Sequence, residues 1–177
     1  MTRRIETTVP INGRFVEVDG ERFHYVEEGK GPPLVMIHGL MGSSRNLTYA
    51  LSGQLRERFR VITLDRPGSG YSSRGAHTAA DLPAQARQIA AFIKTLDLDK
   101  PLVLGHSLGG AIALALALDH PHAVSGLVLV APLTHPQRLL PLVFLSLAVR
   151  PAWLRRWVSH TLTLPVGPVS YTHLRAH

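Results

Sequence analysis

Residues 102–113, LVLGHSLGGAIA, decide how this chain is read. The apolar run Leu102-Val103-Leu104 enters the stretch as a buried strand, and an Ala- and Leu-rich run leaves it as a helix reaching Asp119. Between the two runs, Gly105, Gly109 and Gly110 surround one serine, Ser107. A strand that passes directly into a helix turns so sharply that the two backbones nearly touch, which demands small residues at 105, 109 and 110. Such a turn holds a serine at its tip with the hydroxyl exposed. The bare pattern G-x-S-x-G is weak in a chain with 15 glycines. Its weight comes from the strand before it and the helix after it.

Outward from this turn, strand and helix alternate. Residues 14–18 (RFVEV) and 22–26 (RFHYV) alternate apolar and polar around Asp19-Gly20, a pair that favours tight hairpins, and are expected to form an antiparallel pair. A loop at 29–33 leads to the continuous apolar run 34–37, which suits a strand buried on both faces. Ser43 or Ser44 caps a helix expected to run to about Arg58, with Leu47, Ala50, Leu51 and Leu55 at helical spacing. A second buried strand follows at 60–64. After Asp65 the stretch RPGSGYSSRG is turn chemistry. Thr78 or Asp81 then opens a helix to about Leu96, with Leu82, Ala86, Ile89, Ile93 and Leu96 as its apolar face. A last buried strand, 126–130, ends at Ala131-Pro132. Buried strands alternating with helices predict an α/β fold: a mostly parallel sheet with right-handed crossovers and flanking helices.

With 45% apolar content, 177 residues suffice for the core of one domain. Cysteine is absent, which excludes disulfides, a thiol nucleophile and thiolate zinc sites. No apolar run follows the basic residues of MTRRIETTVPINGR, so no export signal is read there and a cytoplasmic setting is expected. The apolar stretch 139–149 is interrupted by a proline and falls short of the roughly 20 residues of a membrane span. No integral membrane segment is expected. The net charge of +7 is uneven: residues 1–119 hold 14 Lys/Arg against 12 Asp/Glu, whereas 120–177 hold 5 Arg and no acid. The excess is a deficit of carboxylates rather than a run of basic side chains, so nucleic acid is not an expected partner. Gly68 and Gly70 lack the Lys-Ser/Thr partner of a phosphate loop, and no His/Asp/Glu spacing suggests a metal. No cofactor is expected.

His38-Gly39-Leu40 directly follows the 34–37 strand. A loop there can aim a backbone N–H at the oxygen of a bound carbonyl, where negative charge develops when a serine adds to the carbon. The amides of Leu40 and of Leu108, at the helix start, are the expected donors of this oxyanion hole. Their side chains carry no chemistry. His38 is read as a hydrogen-bonder that orders the loop, His106 as a packing residue inside the elbow, and Asp65-Arg66 as a structural turn.

Together, H-G-L-M-G-S-S at 38–44, L-D-R-P-G-S-G-Y-S at 64–72 and G-H-S-L-G-G at 105–110 resemble the α/β-hydrolase superfamily in order and spacing, over about residues 10 to 132. The resemblance implies a hydrolase with Ser107 as catalytic nucleophile, acting on an ester or related acyl bond. Serine at 107 argues against the similar haloalkane dehalogenases and epoxide hydrolases, which place Asp there. Residues 1–132 would be the N-terminal part of the hydrolase core. The Leu-rich, Pro-punctuated residues 133–168 would begin a helical cap that favours a small, hydrophobic acyl substrate.

Family chain order is serine, acid, histidine. Downstream of Ser107 the sole acidic residue is Asp119, at the end of the elbow helix and the wrong end of the sheet, so the triad is expected to be incomplete and neither His135 nor His160 can be assigned as base. VSYTHLRAH at 169–177 matches one reading frame of a transposase-type sequencing adapter and is expected to be a non-native tail, consistent with a truncated chain. Other readings are a non-catalytic binding protein of this fold, a haloperoxidase or carbon–carbon bond hydrolase, and a membrane-surface protein using Trp153 and Trp157 beside Arg155 and Arg156.

Overall fold

The computed structural model describes residues 10–75 and 78–135. The tail expected at 169–177, and the cap expected at 133–168 beyond His135, with Trp153 and Trp157, lie outside the described residues. Six strands form one mixed sheet, β1 (Arg14–Val18), β2 (Glu21–Glu28), β3 (Pro33–Ile37), β4 (Arg60–Leu64), β5 (Leu102–His106) and β6 (Gly126–Val130), in the spatial order β1-β2-β4-β3-β5-β6. β1 runs antiparallel to β2, and β2 antiparallel to β4; the remaining pairs are parallel. The α/β fold expected from the alternating runs is therefore present. Asp19 and Gly20 both take positive φ, 50° and 79°, as a two-residue turn matched to strand twist requires.

The continuous apolar runs reflect two cores rather than one. Val35, Ile37, Ile62, Leu64 and Val103 pack on one face against α3 (Leu82–Thr95) and α4 (Leu108–Asp119). Their neighbours along the strands, Leu34, Met36, Val61 and Leu104, pack on the other face with Leu47, Leu51 and Leu55. With both faces covered, a strand has no side left for polar residues.

The helix after β3 and the burial pattern of β2 differ from the sequence expectation, and each choice of helix cap left open there is resolved. The helix anticipated from 43 to 58 is α1 (Ser44–Leu47), a π-helical stretch (Thr48–Ser52) and α2 (Gly53–Leu55). Leu47, Leu51 and Leu55 recur every fourth residue, slower than the roughly 3.6 of a regular helix, and a wider turn keeps them on one face. Ser43 is the cap, its N–H donating to Asn46 Oδ1 at 2.8 Å. Asp81 rather than Thr78 caps α3, accepting from the Ala84 N–H at 2.8 Å, so Leu82 falls in the exposed first turn while Phe92 takes a buried place. In β2 the expected alternation fails, because Phe23, His24, Tyr25 and Val26 are all buried between β1, β4 and the helices. β6 ends the sheet with Val128, Leu129 and Val130 exposed.

Phe92 is fully buried, with ring centroids 5.5 Å from Phe23 and 5.6 Å from Tyr25. We expect Phe92→Ala to cost about 3–5 kcal/mol in urea unfolding, because it removes the ring and leaves a cavity. Leu118→Ala, at a side chain 79% exposed on α4, should change stability by under about 0.5 kcal/mol. Equal losses would contradict the core assignment.

Candidate active site

Ser107 lies between β5 and α4 at φ 54° and ψ −118°, a conformation that costs a non-glycine residue on the order of 1–3 kcal/mol. Its neighbours hold it there. The Ser107 N–H donates to the Val130 carbonyl at 3.0 Å, and its carbonyl accepts from the N–H groups of Gly110 at 2.9 Å and Leu133 at 3.0 Å. A side chain at 109 would overlap the Ile37 carbonyl, and one at 110 would stand 2.7 Å from Pro132 Cβ. The small residues read in the sequence are thus required by a three-way contact of β3, β5 and α4.

Ser107 and the loop after β3 share one cavity of about 160 Å³, lined by His38, Gly39, Leu40, Met41, Asn46 and Ser107 among others. Leu40 and Met41 stand 53% and 79% exposed at this site. His106, read as a packing residue, is exposed among the described residues and lines the cavity. Leu108 is the first residue of α4, where an N–H has no partner within its own helix. A larger hollow of about 580 Å³ between α3 and the Pro121–Ala123 turn has Arg87, Lys94, His120 and His122 in its lining but no serine.

The loop rests on buried polar groups at the end of β4. His38 donates from Nδ1 to the Gly39 carbonyl at 2.8 Å and accepts at Nε2 from the Arg66 N–H at 3.1 Å, an arrangement that defines the neutral tautomer. Burial, with the Arg66 charge nearby, pushes its pKa down to about 4. The Arg66 guanidinium is buried and donates to the His38 carbonyl and the Gly39 carbonyl, both at 3.0 Å, and to Gln85 Oε1 at 2.8 Å. Beside it, the Asp65 carboxylate accepts from the Ser44 N–H at 2.6 Å, the Tyr71 N–H at 2.9 Å and His24 Nδ1 at 2.8 Å. Burial opposes a charge on Asp65, but the hydrogen bonds from His24 and from the two amides outweigh it and hold the carboxyl below its ordinary value. Burial opposes a charged His24 too; the Asp65 hydrogen bond, aided by the Asn12 carbonyl at Nε2, prevails and raises its pKa.

The hydrogen-bonder role read for His38 and the structural role read for Asp65-Arg66 fit this geometry. His24 and Gln85 were not singled out by the sequence, because their partners lie 41 and 19 residues away. Both ring nitrogens of His24 and of His38 are occupied, so neither can take a proton from Ser107.

A serine on a strained strand-to-helix turn, facing a backbone loop across a small cavity at the ends of parallel strands, is a geometry of the α/β class. A sequence profile described as the alpha/beta hydrolase fold matches residues 32–177. Haloalkane dehalogenase 2 of Mycobacterium tuberculosis is 36% identical over 123 residues, 68% of this chain and 42% of that protein. Among solved structures, a membrane phospholipase A described as a bacterial virulence factor superposes with a TM-score of 0.68 at 29% identity, covering 83% of this chain and 48% of its own. An N-acyl homoserine lactonase complexed with N-butanoyl homoserine gives 0.63 at 29% identity, covering 69% and 45%. The chain spans less than half the length of each. It belongs to the α/β-hydrolase fold family. No helix among the described residues is long and apolar enough to cross a membrane.

The two buried histidines give opposite pH dependences. His38 stays neutral in the fold down to about pH 4 but is protonated near 6.5 when unfolded. Stability therefore falls as pH drops from 6.5 toward 4, by up to about 1.4 kcal/mol per pH unit. His24 has a raised pKa, so its contribution is complete below 6.5 and is lost as pH rises through the raised value. Urea unfolding at pH 4.5, 5.5 and 6.5 should show a shallower acid loss in His38→Asn than in the natural sequence. An unchanged slope would refute the buried neutral imidazole.

Proposed function

We propose that the protein is a serine hydrolase acting on an ester or related acyl bond, with Ser107 as nucleophile and the Leu40 and Leu108 amides as oxyanion donors. The observation that carries this reading is Ser107 held at φ 54° in the cavity it shares with Leu40. Ser107 Oγ adds to the substrate carbonyl carbon while a base takes its proton, and the developing O⁻ is met by the two amides. Collapse expels the alcohol, which leaves with the proton, and the resulting acyl ester on Ser107 is hydrolysed by water. No described residue is assigned as the base. Supporting the donor role, the Leu40 N–H has no hydrogen-bond acceptor among the described residues. The apolar side chains of Leu40 and Met41 favour a hydrophobic acyl group.

The name of the dehalogenase relative does not transfer to this site for a chemical reason. A serine oxygen that displaced a halide from carbon would leave an alkyl ether, which offers water no carbonyl to attack. A serine serves where its adduct is an ester. The lipid-ester and lactone names of the structural neighbours agree with that chemistry.

In the full-length protein, Ser107→Ala should lower aryl-ester turnover by about a thousandfold or more while leaving the thermal midpoint unchanged. Leu40→Ala and Leu108→Ala keep their amides and should stay within several-fold of the natural sequence. Retained turnover in Ser107→Ala would overturn the assignment.

A further inference from the structure

The Gly39 carbonyl accepts three hydrogen bonds beside the serine. It receives Arg66 Nη2 at 3.0 Å, His38 Nδ1 at 2.8 Å and the Gly42 N–H at 3.3 Å. That carbonyl belongs to the same peptide unit as the Leu40 N–H. A trans peptide is planar, so fixing the direction of the carbonyl fixes the N–H in the opposite direction. Hydrogen bonds to the oxygen also polarise the unit and make its N–H a stronger donor. Arg66 reaches two consecutive carbonyls, those of His38 and Gly39, through separate nitrogens of one rigid fork, which fixes the plane between them more firmly than a single contact would. The guanidinium forms no ion pair with a carboxylate among the described residues. Asp65, its neighbour in sequence, turns its oxygens to His24, Ser44 and Tyr71 instead.

We propose that Arg66 is a positioning residue for acyl transfer: its guanidinium, gripping the His38 and Gly39 carbonyls, sets the Gly39–Leu40 peptide so that the Leu40 N–H meets the oxyanion formed at Ser107. The proposal rests on the Ser107 and Leu40 reading above and adds what holds the donor in place. Arg66 touches neither substrate nor nucleophile; it acts through the peptide. Its effect is therefore on the charged transition state. Ground-state binding, which depends on the cavity walls, is left nearly untouched. Gln85, anchored to the Ala80 carbonyl at 2.7 Å, holds the far side of the fork.

The test uses the full-length protein and p-nitrophenyl butyrate. Arg66→Lys keeps the charge and can reach one carbonyl but not both. Its kcat should fall by about ten- to a hundredfold, below the loss seen when an oxyanion donor is deleted outright, with KM changed less than about threefold. A boronic acid that forms an adduct on Ser107 should weaken in parallel with kcat. A residue that only stabilises the fold would lower the thermal midpoint and leave kcat per folded molecule and the boronate constant unchanged, and that result would overturn the proposal. Two His38 variants test the same peptide should Arg66→Lys fail to fold. His38→Asn keeps a donor in the Nδ1 position for the Gly39 carbonyl, whereas His38→Gln keeps the Nε2 acceptor and loses the donor. Asn should retain several-fold more kcat than Gln; equal kcat values, or the reverse order, would count against the proposal. Ser107→Ala separates the two levels of the argument. Activity surviving there removes the nucleophile reading and this proposal with it. Activity lost there but intact in Arg66→Lys and in both His38 variants removes the proposal alone.

Discussion

The close approach of three backbones at the serine turn is the constraint on which the site depends. Gly105 and Gly109 face each other, Gly109 lies against the Ile37 and His38 carbonyls, and Gly110 lies against Pro132. Each contact leaves no room for a Cβ, so the ends of β3, β5 and the segment after β6 are brought to one point. The strain at Ser107 persists because bonds to Val130, Gly110 and Leu133 over-determine its peptide groups. Because β3 is pinned here, the loop that follows it starts beside the serine.

A second constraint shapes that loop. Asp65 and Arg66 are adjacent, oppositely charged and both buried, yet they serve different parts of the structure. Asp65 gathers β2 through His24, the start of α1 through Ser44 and the following turn through Tyr71. Arg66 gathers the carbonyls at the end of β3 and Gln85 of α3. A buried charge is tolerated when hydrogen bonds replace its hydration, and here those same bonds tie two helices, two strands and the turn at Tyr71 to the end of β4. Glu21 extends the pattern: it accepts from Ser73, Gly75 and Thr78, which keeps its pKa low and ties the turn after β4 to β2.

Much of this was legible in the sequence because it is local. The hairpin at Asp19-Gly20, the apolar runs of β3, β4 and β5, and the glycine pattern around Ser107 each follow from steric or burial demands within a few residues. The polar network was not legible in the same way. His24 sits in a stretch that reads as alternating, and only the packing of β2 between two strands and α3 shows that it is buried with a carboxylate 41 residues away. The grip of Arg66 on Gly39 spans 27 residues and involves backbone carbonyls, which no residue pattern marks. The π-helical stretch at 48–52 follows from the packing of Leu47, Leu51 and Leu55 with Leu34, Met36, Val61 and Leu104 on one face of the sheet, a tertiary demand that overrides regular helical spacing.

The central claim is that Ser107 and the two backbone amides form one acyl-transfer site. It is tested most directly by a crystal structure of the full-length protein treated with an alkyl phosphonate ester, whose phosphoryl oxygen stands in for the oxyanion. The account predicts a covalent bond from phosphorus to Ser107 Oγ, with that oxygen about 2.7–3.1 Å from both the Leu40 and Leu108 nitrogens. Phosphonate on another residue, or bound at Ser107 with its oxygen turned away from both amides, would contradict it.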